Sequence, residues 1–144
     1  MTQIDFYILS SDSADARLRL ACRITEKALQ LKRRVFINTD SSAESTKLDE
    51  LLWTFSQKSF IPHRVIAEDT QTDMPEPVLI GCGVGPRGED WQVMINLAAT
   101  VPDFFSRYER VAELVDADDE RRREGRERFR FYRDRGYELN THQM

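Results

Sequence analysis

The chain has 144 residues, 40% of them hydrophobic and 32% charged, and a formal net charge of −4 at neutral pH. That length suits one domain, taken as residues 1–144, and the net charge excludes broad non-specific duplex binding, which takes a strongly basic surface. No apolar run reaches membrane-spanning length and no basic start leads into an apolar stretch, so a cytoplasmic protein without membrane contact is expected.

Ile4-Asp5-Phe6-Tyr7-Ile8-Leu9 is β-branched and aromatic, stops at Ser10-Ser11-Asp12-Ser13, and predicts a strand covered on both faces. From about Ala14 to Lys32, Leu18, Ala21, Ile24, Ala28 and Leu31 recur at helical spacing, and Lys32-Arg33-Arg34 closes that helix. Val35 to Asn38 is a second strand, so the opening reads as a β-α-β unit with a parallel pair and a right-handed crossover. Ser41 followed by Glu44 is a capping-box pattern for a helix reaching about Phe55, with Leu48, Leu51, Leu52 and Phe55 as its core stripe. Trp53 lies roughly 140° from Leu48 on that wheel, where it is either a secondary packing anchor or a partner contact.

Ser59 to Arg64 reads as an apolar loop in which Pro62 blocks the helix, Val65-Ile66-Ala67 as a short strand, and Glu68 to Pro77 as an exposed loop. Val78 to Gly81 and Trp91 to Leu97 are further strands. Phe104-Phe105 starts a short helix, Tyr108 to Val115 is a strand, and Ala117 to Arg135 is a last helix. Such alternation argues an α/β fold, a mostly parallel sheet flanked by helices.

Gly83-Val84-Gly85-Pro86-Arg87-Gly88 has the letters of a dinucleotide fingerprint, but a strand rather than a helix N-terminus is expected after it, and Pro86 lacks an N–H donor. It reads as a connection between strands. His63 and His142 have no metal-ligand spacing, Cys22 and Cys82 read as two reduced thiols, and no nucleophile elbow is present, so no catalytic residue, metal or cofactor is expected. The last helix runs from acids (Asp116 to Glu120) to eight arginines, an order that suits the macrodipole. Arg122, Arg126, Arg130 and Arg133 fall within about 80° of one another, with Phe129 at the edge. Spacing alone ranks a solvated face, laced with pairs such as Glu127 to Arg123 or Glu120 and Glu124 near Arg128, above a binding stripe.

Several stretches taken in order resemble the chi subunit of the bacterial DNA polymerase III holoenzyme. They are Ile4 to Leu9, Leu48 to Trp53, Ser59 to His63, Ile95 to Leu97, and Arg126 to Arg133 leading to Gly136-Tyr137-Glu138-Leu139-Asn140. The resemblance implies a Rossmann-like fold without a nucleotide site and a non-catalytic adaptor in DNA replication. One partner would be the psi subunit, which links chi to the clamp loader. The other would be the acidic C-terminal tail of single-stranded DNA-binding protein, so that DNA is reached only indirectly. Carried over by residue, the tail-binding positions are Arg122, Arg126, Phe129 and Arg130 with Val115 as a pocket wall, and the psi-facing positions are Trp53, Phe60 and Pro62 with His63 adjacent. The family often has lysine or tyrosine where Arg122, Arg130 and Phe129 stand here; arginine keeps the charge, and phenylalanine keeps the ring without its hydroxyl.

Overall fold

The computed structural model describes residues 2–55, 60–66, 75–86, 88 and 91–144. In chain order these form β1 (Gln3–Ile8), α1 (Ala14–Gln30), β2 (Val35–Asn38), α2 (Ser42–Thr54), β3 (His63–Val65), β4 (Val78–Gly81), β5 (Val93–Asn96), a 3-10 turn (Phe105–Arg107), β6 (Arg110–Val115), α3 (Asp119–Asp134) and β7 (Glu138–Gln143). The strands make one sheet in the order β3-β4-β2-β5-β6-β1-β7, with every neighbouring pair parallel.

Alternation along each strand divides the core in two. Val35, Ile37, Val78, Ile80, Val93, Ile95, Ala112 and Leu114 pack with Leu18 and Ala21 of α1 and Leu48 and Leu52 of α2. Ile4, Phe6, Phe36, Leu79, Met94, Val111 and Val115 face the other way, onto Tyr132 of α3 and the aromatic rings around Phe105. At the start of α2 the Ser41 hydroxyl accepts the Glu44 N–H at 3.1 Å, while the Glu44 carboxylate reaches back to the Asp40 N–H at 3.0 Å and pairs with Arg17 of α1 at 2.7 Å. One acid thus caps α2 and fastens it to its neighbour.

Four expectations are corrected. β1 and β2 are parallel but not paired: β5 and β6 lie between them, a separation that the length of α1 permits and that local sequence does not dictate. β3 begins at His63, inside the stretch expected to be loop, while Ala67, with residues 68–74 of the next loop, lies outside the described residues, as does Ser59. The last strand before α3 starts at Arg110, since Phe105 to Tyr108 are taken up by the 3-10 turn and its exit. The segment after α3, not expected as an element, is β7 on the free side of β1.

Two ion pairs fix the position of α3. Glu113 of β6 is fully buried. Its carboxylate accepts from Arg128 Nε (2.8 Å), the Tyr132 hydroxyl (2.6 Å) and Asn96 Nδ2 (2.9 Å), while Arg128 also donates to the Ala99 carbonyl at 3.0 Å. Burial, with the Glu113 carboxylate close behind, pushes the Tyr132 hydroxyl far above the ordinary phenol range, so it stays a donor. Asn96 accepts from Asn38, which accepts from the Gly83 N–H, so this polar chain runs from the end of β4 across β2, β5 and β6 into α3. At the head of α3, Arg121 grips Asp116 with two bonds of 2.8 Å, and Asp118 caps the helix by accepting the Arg121 N–H. At its foot, Gly136 (φ +80°) allows a left-handed turn in which its N–H bonds the Arg133 carbonyl and the Tyr137 N–H bonds that of Tyr132, sending the chain directly into β7.

Arg128→Met should destabilise the fold by about 3–5 kcal/mol in urea denaturation, because it leaves the Glu113 carboxylate buried without a counter-charge. Adding Glu113→Gln should recover part of that loss, since glutamine still accepts from Tyr132 or Asn96. A further prediction concerns acid. Burial pushes the Asp116 carboxyl up, but the Arg121 guanidinium and the Asp118 N–H outweigh it and hold it below the ordinary range. The unfolded chain therefore takes up this proton first as pH falls. Stability from the pair is complete above the unfolded value of roughly 3.9 and is lost as pH drops through the folded one. Asp116→Asn should flatten the decline measured between neutral pH and about pH 3.

Candidate partner-docking sites

α3 crosses the sheet above β6, β1 and β7, and between helix and sheet lies a groove of about 430 Å³. Val115, Phe6 and Ile8 supply its apolar floor, Arg122, Arg126 and Phe129 line the helix side, and Thr141 and Gln143 of β7 form the opposite wall. Gly125 brings the helix this close: a Cβ there would stand 2.9 Å from a Val115 methyl. Phe129 is half-buried, edge-on to Phe6 with ring centroids 5.3 Å apart. Val115, Arg122, Arg126 and Phe129 are thus brought together, and Arg130 lies one turn from Arg126 on the same helix face, outside the groove lining.

The arginines of α3 divide by partner. Arg121 is held by Asp116, Arg123 by Glu120 and Glu127, Arg128 by Glu113, and Arg133 by Asp134, while Arg135 lies over the Phe131 ring. Among the described residues Arg122, Arg126 and Arg130 have no carboxylate partner; Arg122 donates only to the Asp116 main-chain carbonyl at 3.3 Å. The pair of Arg123 with Glu127 matches the solvated-face expectation, but Arg128 does not: it turns inward to Glu113, fifteen residues earlier. Three guanidiniums without counter-ions beside an aromatic, apolar-floored groove can hold carboxylates by bidentate hydrogen bonds and receive one ring.

A second surface lies at the β3 edge. Trp53 is 50% exposed and Phe60 74%, with ring centroids 5.4 Å apart. Pro62 is exposed beside them, and Val65 of β3 adds a further exposed apolar side chain that the sequence reading did not single out. His63 sits beneath this surface. Its ring is 4.3 Å from that of Trp53, its side chain is fully buried, and its nitrogens face the Ile61 carbonyl (2.7 Å) and the Asp49 carboxylate (3.0 Å). It props the indole rather than offering a face of its own.

Gly83 to Gly88 is followed by β5, not by a helix. The cleft at the C-terminal ends of β2, β4 and β5, where doubly wound sheets bind ligands, is lined by Asp40 and Asp103 and, among the described residues, by no lysine or arginine. Cys22 is buried, its thiol pushed up to about 12 by desolvation, and Cys82 is exposed; both are free. No cluster of potential metal ligands occurs among the described residues, and no described helix is long and apolar enough to cross a membrane. The groove residues that sequence reading missed, Phe6, Ile8, Thr141 and Gln143, belong to β1 and β7; the only signals were the apolar alternation of β1 and the break at Gly136.

The family model described as DNA polymerase III chi subunit, HolC, matches residues 1–140. The chain is 39% identical to the DNA polymerase III subunit chi of Pseudomonas aeruginosa over 144 residues, covering 100% of this chain and 98% of that one. It is 30% identical to the Haemophilus influenzae subunit chi (94% and 93% covered) and 28% identical to that of Escherichia coli (98% and 97%). Among solved structures it resembles T4 UvsW (TM-score 0.69, 11% identity) and the Mss116p DEAD-box helicase domain 2 bound to an RNA duplex (TM-score 0.64, 12% identity). It covers 99% and 97% of itself there but only 42% and 64% of those chains, a likeness of fold alone. With a family model matching nearly its whole length and a relative 39% identical across all of it, the chain belongs to the DNA polymerase III chi subunit family.

Proposed function

We propose that this chain is a non-catalytic accessory subunit in DNA replication that joins two protein partners. The psi subunit docks on Trp53, Phe60 and Pro62, supported from beneath by His63, and through psi the chain reaches the clamp loader. The acidic C-terminal tail of single-stranded DNA-binding protein docks on Arg122, Arg126 and Arg130, with its terminal ring beside Phe129 and Val115. The observation that carries the reading is the division of the α3 arginines: of the three without carboxylate partners among the described residues, Arg122 and Arg126 line one groove together with Phe129, and Arg130 lies one turn beyond Arg126 on the same helix face. The two surfaces lie at opposite edges of a seven-stranded sheet, roughly 29 Å apart at the usual strand spacing, far enough for both partners to be held at once. Such coupling raises the local concentration of polymerase components on protein-coated DNA without any chemical step.

Arg126→Glu should weaken binding of an aspartate-rich peptide ending in phenylalanine. The lost charge-assisted contact is worth about 1.5–3 kcal/mol, and added repulsion deepens the loss. Unchanged calorimetric affinity of the folded variant would remove the groove from the proposal. Trp53→Ala and Phe60→Ala should abolish co-purification with psi while leaving peptide affinity within about twofold, as expected for sites without shared contacts.

A further inference from the structure

β7 is a free sheet edge of an unusual kind. The opposite edge, β3, has three residues and carries Arg64, whereas β7 has six and no charged side chain after Glu138 apart from the titratable His142. Short length and charge are the common protections against edge pairing, and β7 has little of either. Its hydrogen-bonding pattern identifies the free groups. The Gln3 and Leu9 N–H groups point to β6, bonding the Glu109 and Val115 carbonyls, while the Ile8 carbonyl points to β7, accepting the Met144 N–H at 2.9 Å. In a parallel pair, residues alternate in the side they address. Asn140, His142 and Met144 therefore address β1, and Leu139, Thr141 and Gln143 direct their N–H and C=O groups outward, where no partner exists among the described residues.

Thr141 and Gln143 are also the residues whose side chains wall the groove under α3. The docking groove and the unpaired edge thus share a rim, and an extended peptide leaving the groove meets free backbone donors and acceptors at once. We infer that the acidic peptide bound in the groove continues as an eighth strand on the outer edge of β7, with main-chain hydrogen bonds to Leu139, Thr141 and Gln143; this rests on the groove reading above. Charge selects this occupant over a second copy of the chain. Pairing two β7 edges would bring two sets of Arg122, Arg126 and Arg130 together, whereas an acidic strand brings those guanidiniums their missing counter-charges.

Amide hydrogen exchange of the full chain, with and without a saturating decapeptide rich in aspartate and ending in phenylalanine, tests this. Exchange at Leu139, Thr141 and Gln143 should slow at least about tenfold on binding. N-methylation of alternate peptide residues upstream of the terminal ring should weaken binding by about tenfold, and methylation of the intervening residues should not. Thr141→Pro removes one outward N–H without touching the β1 ladder, and should weaken binding severalfold, against no change for Thr141→Ser. Binding with unchanged exchange at the three amides, or equal affinity for every methylated peptide, overturns the eighth strand and leaves the groove standing. A wild-type chain that does not bind the peptide overturns both. Protection that grows with protein concentration in the absence of peptide assigns the edge to a second copy and also overturns it.

Discussion

A carboxylate buried in the middle of a sheet must be answered by donors, and Glu113 dictates how α3 lies. Arg128 and Tyr132, one turn apart, both point down to it, and Asn96 meets it from the next strand. With those two positions turned inward, the rotation of the helix about its axis is set. Phe129 is carried about 100° round to the flank and Arg126 and Arg130 further toward solvent. The groove is thus a consequence of an ion pair beneath it. Leaving one member of such a pair alone is costly, whereas replacing both is not. Glu113 and Arg128 therefore act less as a source of stability than as a register mark for the helix.

The same dependence explains what could be read from the sequence. Strands with apolar residues on both faces, such as Val35 to Asn38 and Val78 to Gly81, declare themselves by composition. Helices α1 and α2 declare themselves by period and by the Ser41 and Glu44 cap. β7 does not, because Glu-Leu-Asn-Thr-His-Gln is half-exposed at an edge and carries one large aliphatic residue; it is a strand because β1 lies beside it. Sheet order was equally hidden, since the length of α1 allows β2 to land one, two or three strands from β1.

For the candidate sites, legibility ends where tertiary pairing begins. Eight arginines in one helix look alike in sequence, and only the fold distinguishes Arg128, answered by Glu113, from Arg126, answered by nothing described. Composition singled out Trp53 but left its role open between packing and contact. In the fold the indole rests on His63 while half of it faces outward. The surfaces at β3 and β7 share no residues, and the sheet between them is a rigid spacer whose two halves are tied by the Asn38, Asn96 and Glu113 relay.

The placement of β1 bears on biosynthesis. Its six residues are among the earliest of this sequence to be made, yet both of its neighbours, β6 and β7, come from residues 110–143. On the ribosome β1 stays unpaired while α1 to β5 can already associate; its side toward β6 can close once residues 110–115 emerge, and its side toward β7 only after α3 and the turn at Gly136 have followed. The groove, floored by Phe6 and Ile8 and walled by Thr141 and Gln143, is consequently the last feature to assemble. A chain stalled before residue 138 would retain the Trp53 surface and lack the groove wall, so the two surfaces coexist only once residues 138–143 have been made.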